Sequence, residues 1–129
     1  MNIYLLIAGL LAVLTSIGHF TYGRTHFLLP MNAADFDPEA KAVMHCVFHY
    51  VSVFLVLSTL VLLCCAFEAI SQMQSFGILL FIALNFGLFA IWQLYIGFMS
   101  SLEAPFKRLF QWVFFALVAG FTLAGTLLS

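Results

Sequence analysis

The stretch that decides the fold is Met44–Thr59, MHCVFHYVSVFLVLST, an apolar run that carries two histidines. His45 and His49 are four residues apart, a spacing that places both imidazoles on one face of a helix. Ser52 and Thr59 extend this face, so that a polar stripe follows an otherwise apolar helix. Because a polar stripe is costly against hydrocarbon, we expect His45, His49, Ser52 and Thr59 to face other helices of a bundle.

The composition of the whole chain indicates an integral membrane protein. Of its 129 residues, 65% are hydrophobic and 7% are charged, and the mean hydropathy is +1.17. Soluble domains contain about 25% charged residues, far more than the charged fraction of this chain. The formal net charge of −1 offers no basic surface to nucleic-acid phosphates. We therefore expect this protein to contact the lipid bilayer and not a nucleic acid.

Four apolar runs predict four transmembrane helices, because each is close to the roughly 20 residues that cross the hydrocarbon core. Asp37 and Pro38 predict a helix start before the second run, with Asp37 as the N-cap and Pro38 in the first turn. The short turns after the second and third runs predict antiparallel neighbours, whereas residues 23–41 form the longest connection. The predicted fold is a single all-α membrane domain over residues 1–129, an antiparallel up-down bundle of four transmembrane helices. The predicted spans are about 3–22, 42–66, 76–99 and 106–128.

Small residues at helical spacing predict two further contact faces. Such residues allow neighbouring membrane helices to approach closely. The first span has Ala8, Ala12 and Thr15, with His19 at the end of the same face, and the fourth has Ala116, Gly120 and Ala124.

The lysines and arginines predict the orientation of the bundle. Arg24 and Lys41 lie in the connection between spans one and two, and Lys107 and Arg108 lie at the start of span four. In a four-span protein these two regions are on the same side of the membrane. The positive-inside rule therefore predicts a multi-pass inner-membrane protein with both termini in the periplasm.

With this orientation, three histidines lie near one depth in the cytoplasmic half. His19 is near the end of span one, and His45 and His49 are near the start of span two. Neutral imidazole is a common ligand of transition metals, and paired histidines on facing helices can hold haem. We expect His19, His45 and His49 to bind a metal ion or haem. The predicted second-shell or pocket residues are Gln93, Trp92, Ser52 and Tyr22.

Two other interpretations use the same histidines. They could relay protons in a small transporter or channel subunit, although no carboxylate lies within a predicted span. They could instead hold helices in register in a structural or assembly subunit of a membrane complex or in a homo-oligomer. The sequence has no nucleophile elbow and no phosphate-binding glycine loop, so we predict no catalytic residue and no enzyme activity.

One pattern in the first 60 residues resembles a group of small, largely uncharacterised bacterial four-helix inner-membrane proteins. The pattern is Gly18-His19, then Gly23, a Leu-Leu-Pro sequence, and His49 with Ser52 three residues later. Phe48 departs from the group, which often has tryptophan before this histidine. The resemblance implies the four-span fold and gives weight to His19 and His49, but it implies no activity.

Overall fold

The computed structural model describes residues 1–101 and 110–128, and these residues contain helices but no strand. A π-helical segment, His19–Leu28, joins the first two α-helices into one continuous helix, Ile3–Ala33. Three helices, Ile3–Ala33, Pro38–Ala66 and Gln72–Met99, are long and apolar enough to cross a membrane, and Gln111–Leu127 is a shorter apolar helix. The α-helices are α1 (Ile3–Gly18), α2 (Leu29–Ala33), α3 (Pro38–Ala66), α4 (Gln72–Met99) and α5 (Gln111–Leu127).

The first helix continues well beyond Tyr22, where the predicted span ends. Polar side chains on both sides of this point bond to their own helix: Thr21 Oγ1 donates to the Ile17 carbonyl at 2.7 Å, and His26 Nδ1 lies 3.2 Å from the Tyr22 carbonyl. Gly23 is buried against the Phe48 ring of α3. Local hydrogen bonds and this contact keep the segment helical as far as Ala33, and only residues 34–37 remain as a connection.

The predicted start of α3 is confirmed. Pro38 is in the first turn, and the Asp37 carboxylate accepts a hydrogen bond from the Ala40 backbone N–H at 3.0 Å. Ser71 caps α4 in the same way, since its Oγ accepts from the Gln74 N–H at 3.2 Å. The predicted start of span four near residue 106 lies outside the described residues.

Helix α1 packs against both α3 and α5, and α5 in turn packs against α4. The Asn2 N–H donates to the Ala66 carbonyl at 3.0 Å, and Asn2 Nδ2 donates to the Gly125 carbonyl at 2.9 Å. The start of α1 thus lies beside the ends of α3 and α5, which makes α1 antiparallel to both. Helices α3 and α4 meet through phenylalanine rings, because Phe54 lies 5.6 Å from Phe86 and 5.3 Å from Phe89 between ring centres.

Of the two predicted small-residue faces, only the first is a buried face. Ala8, Ala12 and Thr15 are buried, whereas Gly120 is exposed and has open space where a Cβ would be. The ladder prediction for span four is wrong because α5 presents a different stripe to α1 and α4. The buried residues of that stripe are Val118, Ala119, Thr122 and Gly125.

We predict that Gly125→Ala destabilises the protein by about 1–3 kcal/mol, the range typical of overpacking. A Cβ at Gly125 would lie 2.7 Å from Leu5 Cγ and 3.1 Å from the Leu5 backbone nitrogen, and Leu5 is itself only 3% exposed. Gly120→Ala is the matched control on the same helix and should be neutral or stabilising by up to about 1 kcal/mol. The free energy of unfolding is measured by circular dichroism during an SDS titration in mixed micelles. Equal effects of the two substitutions would contradict the close contact of α1 and α5.

Candidate functional site

His19, the first residue of the π segment, joins the first helix to α3. Its Nε2 lies 3.0 Å from the Phe48 carbonyl oxygen and 2.7 Å from Ser52 Oγ. The imidazole also stacks on the Phe48 ring, with 4.0 Å between ring centres and 18° between the planes. Both the position and the orientation of the His19 ring are therefore determined by α3.

Ser52 is buried and lies between two histidines. Its Oγ is 3.1 Å from the Phe48 carbonyl oxygen, which can only accept, so the hydroxyl proton is donated there. The same Oγ has two lone pairs, which can accept from His19 Nε2–H at 2.7 Å and from His49 Nδ1–H at 3.4 Å. In this arrangement the opposite ring nitrogens, His19 Nδ1 and His49 Nε2, keep their lone pairs.

The expectation that His45 and His49 face the interior is wrong. Both side chains are exposed on the outer surface of α3, with their ring centres 5.2 Å apart, whereas Ser52 and Thr59 are buried. At about 100° per residue the four stripe residues spread over roughly 80° of the helix circumference. Contact with α1 covers only one edge of this stripe, the edge with Ser52 and Thr59, where Thr59 Oγ1 lies 3.3 Å from Ser16 Oγ.

The three predicted metal ligands are not brought into one site. Within residues 1–101 and 110–128, no group of three or more histidine, cysteine, aspartate or glutamate side chains could hold a metal ion. His19 lies on the inner side of Ser52, and His45 and His49 lie on the outer side. A site made of His19, His45 and His49 of one chain is therefore not supported.

A cavity of about 300 Å³ lies among the helices beside His19. Its larger polar side chains are His19, Tyr22, Gln93 and Gln111, and apart from the small hydroxyl residue Thr15 the remaining wall is apolar. Trp92, predicted as a pocket residue, is instead 60% exposed. The wall is completed by Leu14, Thr15, Gly18, Gly23, Phe27, Phe48, Val51, Leu55, Phe110, Phe114 and Phe115.

Gln93 carries an unsatisfied polar atom at the wall of this cavity. Its Nε2 donates to Gln111 Oε1 at 3.0 Å and so links α4 to α5. Its Oε1 is fully buried and finds no hydrogen-bond partner among residues 1–101 and 110–128. A buried acceptor without a partner costs roughly 1–3 kcal/mol, so the amide is a favourable place for a bound donor.

The sequence analysis missed the aromatic wall of the cavity. Phe48, Phe110 and Phe114 were indistinguishable in sequence from the phenylalanines that face outward, because all of them occur in apolar runs. The only local signal is position: Phe110 and Phe114 are four residues apart and flank Gln111. No family model, curated protein or solved structure matches this chain.

The hydrogen bonds of Ser52 predict opposite tautomers for two histidines. At a pH where imidazole is neutral, His19 should carry its proton on Nε2 and His49 on Nδ1, because both nitrogens face Ser52 Oγ. Long-range ¹H–¹⁵N correlation spectra of ¹⁵N-histidine protein measure this directly. Ser52→Ala should release His49 from its Nδ1–H form while leaving the spectrum of His26, which contacts Tyr22, unchanged. An Nε2–H form of His49 in the unsubstituted protein would contradict the assignment.

Proposed function

We propose that this protein is a four-span integral membrane protein of the inner membrane with both termini in the periplasm. The apolar lengths of Ile3–Ala33, α3 and α4 support insertion. The amino terminus lies near the end of α3, where the Met1 amino group is 3.4 Å from Glu68. Lys41 lies at the opposite end of α3 and donates to the Asn32 carbonyl at 3.1 Å, and Arg24 is on the neighbouring π segment. Lys107 and Arg108, which also carry the orientation argument, lie outside the described residues.

The orientation is tested with reporters fused to the carboxyl terminus. Alkaline phosphatase, which folds in the periplasm, should be active, and green fluorescent protein, which does not fluoresce after unfolded export, should be dark. The double substitution Arg24→Glu and Lys41→Glu removes two of the basic residues that determine this orientation. It should therefore reduce the preference for a periplasmic carboxyl terminus. A fluorescent carboxyl-terminal fusion in the unsubstituted protein would contradict the proposed topology.

We further propose that the protein binds a small, mostly apolar molecule in the cavity beside His19. The cavity is the observation that carries this proposal, because its volume of about 300 Å³ is within the range of ligand sites. Such sites combine apolar and aromatic walls with a few fixed polar groups that orient the ligand. Here the rings of Phe48, Phe114 and Phe115 supply the wall, and His19 and Gln93 supply the polar groups.

The polar groups favour a ligand that carries a hydrogen-bond donor. The bonds of His19 Nε2 to α3 leave Nδ1 as an acceptor, and Gln93 Oε1 has no partner within the described part of the chain. The terminal torsion of a glutamine side chain is broad, so the amide can turn towards a donor in the cavity. A membrane-soluble phenol or a comparable hydroxylated ring meets both requirements, an aromatic body and one donor.

Binding is tested with 4-ethylphenol and ethylbenzene on protein in detergent, followed by tryptophan fluorescence, since Trp112 is adjacent to the cavity residue Gln111. Val51→Phe fills the cavity and should weaken 4-ethylphenol binding at least tenfold. Val53→Phe, on the exposed outer face of the same helix, is the matched control and should have no effect. Gln93→Leu should remove the preference for 4-ethylphenol over ethylbenzene. Equal weakening by Val51→Phe and Val53→Phe, or no saturable binding at all, would rule out the cavity as a ligand site.

The remaining interpretations stay predictions. A haem or metal cofactor beside His19 would require ligands other than His45 and His49, which lie outside. A structural or assembly subunit needs no cavity, so saturable ligand binding would argue against a purely structural role. The resemblance to small bacterial four-helix membrane proteins also stays a prediction.

A further inference from the structure

We propose that His45 and His49 form half of a transition-metal site on the outer face of α3, and that a second copy of this chain supplies the other half. The site would hold zinc or a similar divalent ion between two symmetry-related copies. It is separate from the ligand cavity, since neither histidine lines that cavity.

The spacing of the two imidazoles suits one metal ion. Their ring centres are 5.2 Å apart and their planes differ by 37°. With Zn–N distances of about 2.0–2.1 Å and tetrahedral angles, the centres of two ligating imidazoles lie roughly 5 Å apart. The i, i+4 spacing on α3 therefore already places the two rings at a chelating distance.

Ser52 prepares His49 to act as a ligand. The Nδ1 of His49 faces Ser52 Oγ at 3.4 Å, and Ser52 is itself held by His19 and the Phe48 carbonyl. A histidine that ligates a metal through one nitrogen generally donates a hydrogen bond from the other, which sets its tautomer and orientation. Ser52 thus occupies the place of such an acceptor and leaves His49 Nε2 available to the metal.

A second copy of the chain supplies the remaining ligands of the metal ion. Two imidazoles fill two of the four positions of a zinc site, and the described residues supply no third ligand. A two-fold axis normal to the membrane brings the same face of α3 against itself and contributes two more imidazoles. The apolar remainder of this face, Val53, Val56 and Leu60, is exposed and continues the contact surface along the helix.

This arrangement also removes an energetic cost. In the proposed orientation the two exposed imidazoles face lipid or the headgroup boundary, and polar side chains there are usually directed towards other helices. Coordination between two copies buries all four rings against each other and satisfies their lone pairs.

The test uses full-length protein without a histidine tag, stripped with EDTA in detergent and then titrated with zinc. Light scattering coupled to size exclusion gives the mass, and elemental analysis gives the metal content. We expect zinc to produce a dimer that contains one zinc ion per two chains. His45→Ala and His49→Ala should each weaken zinc binding at least tenfold and abolish zinc-dependent dimerisation.

The controls are exposed ligand-type residues outside the proposed pair. His26→Ala and Cys46→Ser should leave the zinc affinity and the dimer unchanged. Ser52→Ala should weaken zinc binding about tenfold through the lost orientation of His49, and Ser52→Thr, which keeps the hydroxyl, should restore most of it. Circular dichroism of each variant checks that the monomer is folded.

Three results would overturn the proposal: no zinc binding to the unsubstituted protein, one zinc per chain without a change in mass, or a zinc-dependent dimer that survives loss of both histidines. Binding of 4-ethylphenol is measured on the same samples. Failure of the zinc experiment alone leaves the cavity proposal standing, and the converse also holds.

Discussion

The hydrogen bonds around Ser52 organise the end of the bundle where the polar groups collect. This one hydroxyl lies within bonding distance of His19 on the first helix, of His49 on its own helix, and of the Phe48 carbonyl. Without these hydrogen bonds the buried Ser52 hydroxyl and the His19 ring nitrogen that faces it would be unpaired polar groups among apolar side chains, which is energetically costly. The contact therefore fixes the rotation of α3 against the first helix, and with it which histidine lies inside and which lie outside.

At the opposite end of α1, a close approach between α1 and α5 holds the first helix in place. Gly125 has no side chain, and a Cβ at this position would lie only 3.1 Å from the Leu5 backbone nitrogen, so α1 and α5 approach closely here. Asn2 closes this end by bonding to both Ala66 and Gly125. Helix α1 is consequently held at both ends: a buried polar junction joins it to α3 near His19, and a close contact joins it to α5 near Leu5. The cavity lies at the polar end, beside His19, where aromatic rings form much of its wall.

Ser52 also connects the two proposed sites. Its inner partner, His19, lines the cavity, and its outer partner, His49, belongs to the proposed metal pair. Both histidines face the same Ser52 Oγ, His19 at 2.7 Å and His49 at 3.4 Å. The two sites are thus neighbours through a single hydroxyl, although each has its own ligand and its own test.

The sequence by itself determined the helices, and several of their ends, because these depend on local chemistry. Apolar run lengths predicted where helices occur, and Asp37 with Pro38 predicted the start of α3, since an N-cap and a proline act within one turn. Local chemistry also marked His19, Ser52, Tyr22 and Gln93 as notable polar residues in an apolar chain. It failed beyond Tyr22, where the hydrogen bond of His26 to the Tyr22 carbonyl and the contact of Gly23 with Phe48 accompany a polar segment that stays helical.

Only the tertiary structure decided which face of each helix is covered. The stripe of His45, His49, Ser52 and Thr59 is wider than one helix contact, so packing against α1 could cover only the Ser52 edge. In α5, Ala116 and Gly120 have the same small-residue spacing as a contact face, yet the fit between Leu5 and Gly125 turned the helix to bury another stripe. Hydrophobic pattern cannot make this choice when nearly every face is apolar, because the decision rests on the shapes and hydrogen bonds of neighbours that are distant in sequence.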